Sequence, residues 1–234
     1  MTTSPAEPPP RLDRRLLDAA TEPYRAAGRF AYHFARGKLG RDPAFGAIIH
    51  GDWIPPGSRV LDLGCGQGLL ASLLIAAGRG CQVRGIELMP ADVERARAAL
   101  GAAAQIELGD IREAPFGNPD VAVILDVLHY IDRTAQESVL RRLRQALAPG
   151  GLLLLRVGDA AAGWPFRLSN WVDRAVFLAR GHGSVSLHCR PLADWKASLQ
   201  ALGFEVGTVA LSQGTPFANV MLMARVPGAA PTRG

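Results

Sequence analysis

The sequence predicts an α/β protein with a mainly parallel sheet, and three observations support this fold class. Short apolar runs alternate with helical runs from residue 59 onward, as in chains that cross over a sheet between parallel strands. The run 152–157 is apolar on both sides and follows a Pro-Gly-Gly helix stop, as expected of a strand buried on both faces. The 234 residues and the 48% hydrophobic fraction are sufficient for one well-packed domain.

The segment before the sheet is predicted to be helical. The pattern is helical from 11 to about 38, with a break at Pro23. Asp42 is a suitable N-cap for a further short helix, because the proline that follows it fits the first helical position. We therefore expect an N-terminal helical cap over 11–56, after a proline-rich, disordered tail at 1–10.

The domain proper is predicted to span 57–226, with a second disordered tail at 227–234. Its first five strands are predicted at 59–63, 82–87, 104–108, 121–125 and 152–157. Helices are predicted between them at 67–77, 90–100 and 133–147. A lid-like insertion at 158–190, a helix at 191–202 and two strands, "FEVGTVAL" and "NVMLMAR", follow.

A glycine-rich loop, "VLDLGCGQG", joins the first strand to the next helix through Gly64, Gly66 and Gly68. Such a loop at a helix N-terminus typically holds a nucleotide-like ligand. The dinucleotide fingerprint would require a third glycine where Leu69 stands. Asp62, just before the loop, would repel a pyrophosphate and favour a ligand with an ammonium group. The loop therefore favours a cationic ligand over NAD.

Further acids follow the next two strands. Glu87 ends the second strand, 19 positions after Gly68, where an acid can accept hydrogen bonds from two ribose hydroxyls. Asp110 follows the third strand and can accept from an adenine amine, with Ile111 and Leu88 against the ring. No phosphate-binding GK[ST] motif accompanies them, which indicates a nucleoside without phosphates. S-adenosylmethionine has this chemistry.

These motifs resemble those of class I S-adenosylmethionine-dependent methyltransferases over about 57–225. "VLDLGCGQG" is similar to the family's first motif, "GIEL" to its ribose acid, "GDI" to its adenine acid and "DVAVILDVLHYID" to its fourth motif. The resemblance implies a Rossmann-like seven-stranded sheet in the order 3-2-1-4-5-7-6, with the last strand antiparallel, helices on both faces and the cap over the substrate. More narrowly, "PYRAAGRFAYHFARGKL", "LDVLHYID" and "GTPFANV" resemble methyltransferases associated with aryl polyene biosynthesis.

The predicted contacts to S-adenosyl-L-methionine come from the glycine loop, the strand-end acids and the start of the fourth motif. They are Asp62, Gly64, Cys65, Gly66, Gly68, Glu87, Leu88, Asp110, Ile111, Asp126 and Val127. Four of them have simpler alternatives. Asp62 could cap backbone N–H groups of the loop, Glu87 and Asp110 could be solvated acids at strand ends, and Cys65 could serve only as a small loop residue.

His129 is the candidate catalytic residue. An imidazole that titrates near neutrality is a natural base for deprotonating an acceptor. Orientation of the cofactor or acceptor, and a structural role, are the alternatives for His129. The candidate acceptor contacts are Tyr24, Arg29, Tyr32, Tyr130, Trp164, Phe166 and Trp171, although aromatics at helical spacing also suit a core. No metal is expected, because no third ligand is spaced to join His182 and His188.

Composition bounds the compartment and the partners. No apolar run is long enough to span a membrane, "MTTSPAEPPP" has no signal core, and the three cysteines form no CxxC pair. We therefore expect a cytoplasmic protein. The net charge of +5 comes from scattered arginines, except for eight basic against four acidic side chains in residues 1–41. That excess is either a solvated helical face or a surface for an anionic partner.

The acceptor is expected to be a small aromatic or carrier-linked molecule, with nucleic acid an improbable partner. Aromatic side chains occur in both segments predicted to cover the site, and no basic, aromatic-interleaved groove is evident. "LDVLHY" stands where amino-methylating nucleic-acid enzymes have an NPPY or DPPY tetrad. RNA or protein methylation, an NAD(P)-linked oxidoreductase and a non-catalytic cofactor-binding protein are the alternatives.

Overall fold

A seven-stranded sheet organises the part of the chain that the computed structural model describes, residues 11–158, 187–211 and 219–228. Its strands are β1 (Arg59–Leu63), β2 (Gln82–Glu87), β3 (Gln105–Leu108), β4 (Val121–Leu125), β5 (Leu152–Gly158), β6 (Glu205–Ala210) and β7 (Asn219–Arg225). The order is β3-β2-β1-β4-β5-β7-β6, and only β7 runs antiparallel to its neighbours β5 and β6. The order and direction implied by the resemblance are confirmed.

Seven α-helices surround this sheet in the described residues. They are α1 (Arg14–Thr21), α2 (Arg29–Arg41), α3 (Pro43–His50), α4 (Leu69–Ala76), α5 (Pro90–Leu100), α6 (Arg133–Ala146) and α7 (Leu192–Ala201). Short 3₁₀ helices lie at Glu22–Arg25, Gly101–Ala103 and Leu128–Tyr130. None of these helices is long and apolar enough to cross a bilayer.

The predicted boundaries need small corrections. Helix α4 begins two residues later than expected, because Gly68 adopts the left-handed conformation and ends the loop. Strand β3 begins at Gln105 rather than 104, and Gly158 pairs with Asn219 as the last residue of β5 instead of opening the insertion. Most of the insertion, including Trp164, Phe166 and Trp171, lies outside the described residues.

Both faces of the sheet are buried under helices, as a parallel sheet requires. Val123 of β4 and Leu154 of β5 belong to a core shared with α1 to α5. Their neighbours along the strands, Ile124 and Leu153, belong to a second core with α6 and α7. The alternation follows from the two-residue period of a strand, and it explains why both strands are apolar on both faces, apart from Arg156 in β5.

The N-terminal helices begin and end at local sequence signals. The Asp13 side chain accepts a hydrogen bond from Leu16 N at 2.8 Å and caps α1. Asp42 accepts from Ala44 N at 3.0 Å and caps α3, as predicted. The expected break is also present, since α1 ends at Thr21, two residues before Pro23.

The cap packs directly on the helix that follows the glycine loop. The hydroxyl of Ser72 in α4 donates to Ala20 O at 2.7 Å. The buried Tyr24 hydroxyl donates to the backbone oxygen of Gln67, inside the loop, at 2.7 Å. Burial raises the pKa of Tyr24 well above its usual range, so the phenol keeps its proton and remains a donor. The cap thus shares one hydrophobic core with the sheet.

Tyr24→Phe is expected to lower the free energy of unfolding by about 1 to 3 kcal/mol, because the buried carbonyl of Gln67 loses its donor. Urea unfolding would measure the change. Tyr32→Phe is the matched control, since the Tyr32 hydroxyl accepts from Arg25 at an exposed site. The control should shift stability by no more than about 0.5 kcal/mol. Equal effects of the two variants would contradict this account of Tyr24.

Candidate cofactor and active site

The glycine loop turns sharply at the carboxyl end of β1. Gly64 and Gly66 have φ values of 72° and 55°, a region that favours glycine. A Cβ atom on Gly64 would overlap with the side chain of Val127, whereas one on Gly66 would meet nothing within 4 Å. Gly64 is therefore required by packing against the loop after β4, and Gly66 borders open space in which a ligand can approach the backbone.

Glu87 lies at the end of β2 beside this loop and is largely buried. One carboxylate oxygen accepts from Gly66 N at 2.8 Å, and the other accepts from Met89 N at 2.9 Å. Each oxygen of an ionised carboxylate can accept further bonds. The arrangement holds the acid in place while leaving acceptor capacity for two hydroxyls.

Asp62 is buried near the end of β1, with 4% of its surface exposed. Among the hydrogen bonds and ion pairs of the described residues, none involves its carboxylate, so the alternative in which it caps loop N–H groups finds no support. Burial, assisted by the charge of Glu87, raises the pKa of Asp62 to about 7. Such a carboxylate fits a ligand that brings a positive charge.

Cys65 occupies the space between the loop and β2. A Cβ on Gly85 would come within 2.6 Å of the Cys65 sulfur, which shows how tightly the thiol fits there. Burial raises the pKa of this thiol well above its usual value, so it remains neutral. This environment agrees with a small residue that completes the packing of the loop.

The predicted adenine end lies at the carboxyl ends of β2 and β3. Leu88 and Leu108 are exposed over 58% and 55% of their surfaces, whereas Ile111 is buried. Leu108 is the register partner of Glu87 on the neighbouring strand. Two exposed leucines beside a buried acid form an apolar rim suited to a flat ring. Sequence reasoning missed Leu108, although a leucine at the end of an edge strand was a usable signal.

Asp110 has a partner that sequence reasoning did not give it. Its oxygens accept from Arg112 N at 2.8 Å and from the Arg112 guanidinium at 2.5 to 3.0 Å. The hydrogen bonds from Arg112 lower the pKa of Asp110. The acid stays ionised beside the apolar rim, but it must share its oxygens between Arg112 and any adenine amine.

The loop after β4 carries the candidate base. His129 sits in the 3₁₀ turn, its ring 4.2 Å from that of Tyr130. Burial lowers the pKa of His129, the charge of Arg156 adds to this, and that of Asp126 opposes it. The imidazole is therefore mainly neutral at pH 7, the form that accepts a proton.

Buried polar contacts from α6 hold this turn. The amide of Gln136 donates to Leu128 O at 3.0 Å and to His188 O at 2.8 Å. The backbone N–H of His188 in turn donates to His129 O at 2.8 Å. The C-terminal end of the predicted insertion is thereby fixed to the turn that presents the imidazole.

Asp126, a predicted cofactor contact, is held by an arginine that the sequence analysis did not single out. Arg156 of β5 forms a two-pronged ion pair with it, through Nε at 2.8 Å and through Nη2. The guanidinium is almost fully buried and also contacts Asp42 of the cap at 2.5 Å. Val127, the next predicted contact, lies against Gly64.

The four candidate acceptor contacts that lie within the described residues have three different environments. Tyr24 is in the core on Gln67, so its hydroxyl is already engaged. The guanidinium carbon of Arg25 lies over the Tyr32 ring, 4.2 Å from the ring centroid. Arg29 is exposed at the start of α2. Tyr130 lies beside His129.

The described residues contain no group of three His, Cys, Asp or Glu side chains that could hold a metal.

The sequence itself matches a known family profile. Residues 33–209 match the profile described as "Methyltransferase domain", which is most of the chain and includes all of the strand-end acids above. The chain belongs to this family. The family is that of the class I S-adenosylmethionine-dependent methyltransferases, and its cofactor is S-adenosyl-L-methionine.

Curated relatives are similar over part of their length. A carboxy-S-adenosyl-L-methionine synthase from Shewanella pealeana is 33% identical over 127 residues, 48% of this chain and 52% of the relative. One from Dichelobacter nodosus is 32% identical over 124 residues, with the same shares. The chain thus spans about half the length of the curated relatives it matches.

Solved structures are similar in fold. They include an O-methyltransferase family protein from Burkholderia thailandensis, at TM-score 0.58, 19% identity and coverage of 89% of this chain and 67% of that one. Human N-acetylserotonin methyltransferase in complex with S-adenosylmethionine has a TM-score of 0.59 and 15% identity, with coverage of 91% of this chain and 67% of that one. The [4+2]-cyclase SpnF has a TM-score of 0.60 and 18% identity, with coverage of 81% of this chain and 83% of that one. At these identities the likeness shows the fold alone.

The affinity of the protein for S-adenosylhomocysteine is expected to fall as pH decreases below about 7. The carboxyl of Asp62 titrates near that pH in the free protein, and an ammonium group binds only its ionised form tightly. Affinity should approach a constant value above about pH 8 and should decrease by up to about tenfold per pH unit below 7, as linkage to one proton requires. Calorimetry from about pH 5 to about pH 8.5 would measure it.

Asp62→Asn is the control for this prediction. An amide of the same shape cannot titrate, so the variant should bind more weakly at pH 7.5 and its affinity should vary little with pH. The steep loss of affinity should be confined to the wild type. A slope retained by Asp62→Asn would assign the titration to another group.

Proposed function

We propose that this protein transfers the methyl group of S-adenosylmethionine to a small acceptor, aromatic or linked to a carrier, next to His129. The observation that carries the proposal is the packing of Val127 on Gly64, which sets the turn with His129 against the cofactor loop. A base beside a cofactor loop is the arrangement that methyl transfer to a weakly acidic group requires.

In this proposal the described residues hold the cofactor from three sides. Glu87 accepts the ribose hydroxyls, Asp110 and the rim of Leu88 and Leu108 receive the adenine, and Asp62 faces the ammonium. Asp62 supports this placement, because its buried carboxylate has no hydrogen bond or ion pair within the described residues and a buried charge is costly without a partner. When bound, the cofactor supplies an electrophilic methyl group on a sulfonium.

His129 then removes the proton from the nucleophilic atom of the acceptor, and this acceptor atom bonds to the methyl carbon. The bond between that carbon and sulfur breaks, which leaves S-adenosylhomocysteine and an imidazolium that returns its proton to solvent. Much of the rate can come from holding the two partners in line, since proximity contributes about 7 to 11 kcal/mol in well-oriented reactions. Gln136 supports this by fixing the turn.

The acceptor class is inferred from the surroundings of the site. Tyr130 lies beside the imidazole, and Arg29 and Tyr32 lie in the first turn of α2 in the cap, which suits a flat, apolar molecule with a polar or anionic part. The resemblance to aryl polyene methyltransferases points to unsaturated aryl chains on a carrier. RNA or protein is the alternative acceptor.

A second candidate function is synthesis of a modified cofactor. The curated relatives named carboxy-S-adenosyl-L-methionine synthase are about one third identical over half of this chain. In that case the cofactor would be the product, with no methyl group passed to an acceptor. The two functions differ in where a methyl label ends.

A screen with a labelled cofactor methyl group tests the proposal. Phenols, carboxylic acids and acyl groups on carriers are each incubated with protein and cofactor, and product and cofactor are analysed by mass spectrometry. Label on an acceptor together with S-adenosylhomocysteine supports methyl transfer. Label that is retained on the cofactor, together with an increase in the mass of the cofactor, would favour synthesis of a modified cofactor instead. Absence of both products across the screen, from a protein that binds S-adenosylhomocysteine, would favour a non-catalytic cofactor-binding protein.

Glu87→Ala is expected to weaken S-adenosylmethionine binding by about 1.5 to 3 kcal/mol, or about tenfold to a hundredfold, as for hydrogen bonds to a charged group. Calorimetry would measure it, with circular dichroism to verify the fold. Asp110→Ala is the comparison and should lose less, because the apolar rim remains and Arg112 already shares that carboxylate. Unchanged affinity in Glu87→Ala would remove the ribose assignment.

His129→Gln is expected to lower turnover of the identified acceptor by about 10² to 10⁴, since the amide cannot accept the proton. Cofactor affinity should barely change. The wild-type rate should rise with pH through an inflection below 6.5, because burial lowers the pKa of His129, and this inflection should be absent in the variant. A loss in apparent acceptor binding with the pH profile retained would instead indicate orientation.

A further inference from the structure

Arg156 is a buried cation in a strand that is otherwise apolar. It lies in β5, with 2% of its side chain exposed, between Leu155 and Val157. The alternation of the strand places Arg156 on the same face as Leu154, which is the face covered by the N-terminal cap. A charge buried at this depth needs partners, and the described part of the chain supplies two.

The two partners come from distant parts of the chain. Asp126 follows β4, and its carboxylate accepts hydrogen bonds from both Nε and Nη2 of the guanidinium. Asp42 belongs to the cap, 114 positions from Arg156, and its carboxylate accepts a hydrogen bond from Nη1 at 2.5 Å. The second oxygen of Asp42 faces Lys38 Nζ at 2.8 Å. Burial alone would raise the pKa of Asp42, but Arg156 and Lys38 together hold it well below its usual range.

Asp126 begins the turn that presents the imidazole. Its φ of 59° is left-handed, a conformation that side chains other than glycine adopt at a cost. The residues that follow are Val127, packed against Gly64, and then the 3₁₀ turn with His129. A two-pronged ion pair restricts rotation of the Asp126 side chain more than a single contact would. The direction of the whole turn therefore depends on the guanidinium.

We propose that Arg156 is a positioning residue of the methyl-transfer site, and that through Asp42 it makes the placement of the His129 turn depend on the docked cap. The inference rests on the proposed function for the role of His129, and on the ion pairs alone for the link itself. Its consequence is that the acceptor-binding cap and the catalytic turn are set as one unit.

The first test changes the cap end of the link. Asp42→Asn keeps a side chain that caps helices as well as aspartate does, but it removes the charge opposite Arg156. Asp13→Asn is the matched control, because Asp13 also caps a helix and its described contacts are with α1 alone. Hydrogen exchange of residues 126–131 is compared with that of β1 and β4.

In Asp42→Asn, exchange at 126–131 should rise about tenfold, as expected for the loss of one charge-assisted contact, while β1 and β4 remain as in the wild type. Asp13→Asn should leave both regions unchanged. Unchanged exchange at 126–131 in Asp42→Asn would overturn the link to the cap. A uniform rise across the sheet would also overturn it, because it would show only a general loss of stability.

The second test reads the charge beside the imidazole. The charged groups that act on His129 are Asp126 on its own loop and Arg156 on β5, and the Tyr130 ring packs against it. Arg156→Gln removes the cation and leaves burial and Asp126 in opposition, so the pKa of His129, followed by NMR, should rise relative to the wild type and stay below its ordinary value. Full exposure of the imidazole to water would instead bring its pKa to the ordinary value of about 6.5 and would indicate a general loss of structure.

A folded Arg156→Gln protein whose His129 pKa is the same as in the wild type, or has reached about 6.5, would overturn the positioning role. If this variant does not fold, the exchange comparison of Asp42→Asn with Asp13→Asn decides. Calorimetry of the wild type with S-adenosylhomocysteine is run beside both tests. Absence of binding there would reject the proposed cofactor placement while leaving the link between Arg156 and the turn intact.

Discussion

The close approach of Val127 to the backbone of Gly64 is the contact on which the site depends, because it joins two loops that serve different purposes. It is possible since β1 and β4 are parallel neighbours, with Leu63 opposite Ile124, so that both strands end at one edge of the sheet. Any side chain on Gly64 would push the two loops apart. The geometry of the sheet therefore sets the distance between the cofactor loop and the imidazole.

The carboxylates at this edge are treated in three different ways. Glu87 is held by backbone N–H groups, Asp110 and Asp126 are each held by an arginine, and Asp62 has neither kind of partner among the described residues. These differences follow from position, because a strand-end acid sees the backbone of the adjacent loop, whereas an acid inside a strand sees apolar neighbours. The site is consequently held in place by backbone contacts at Glu87 and the loop, whereas the described residues offer no counter-charge to Asp62.

Local patterns predicted most of the fold. The sheet order, the N-cap at Asp42 and the break at Pro23 all follow from signals within a few residues of each other or from the family's motifs. The contacts of Tyr24 and Arg156 were not predicted, because they join residues 43 and 114 positions apart and no short pattern encodes them. The roles of the site residues remain predictions, and those on Trp164, Phe166 and Trp171 fall outside the described residues.

Asp42 has two roles at once, since it begins α3 and completes the charge balance of a guanidinium under the sheet. This has a consequence for recombination between related enzymes. A chimera that exchanges the cap for one from another enzyme, in order to change the acceptor, would separate Asp42 from Arg156 unless the donor supplies an acid at the same position. The permissible crossover points therefore lie before Lys38, or else both halves of the charge pair must be inherited from one parent.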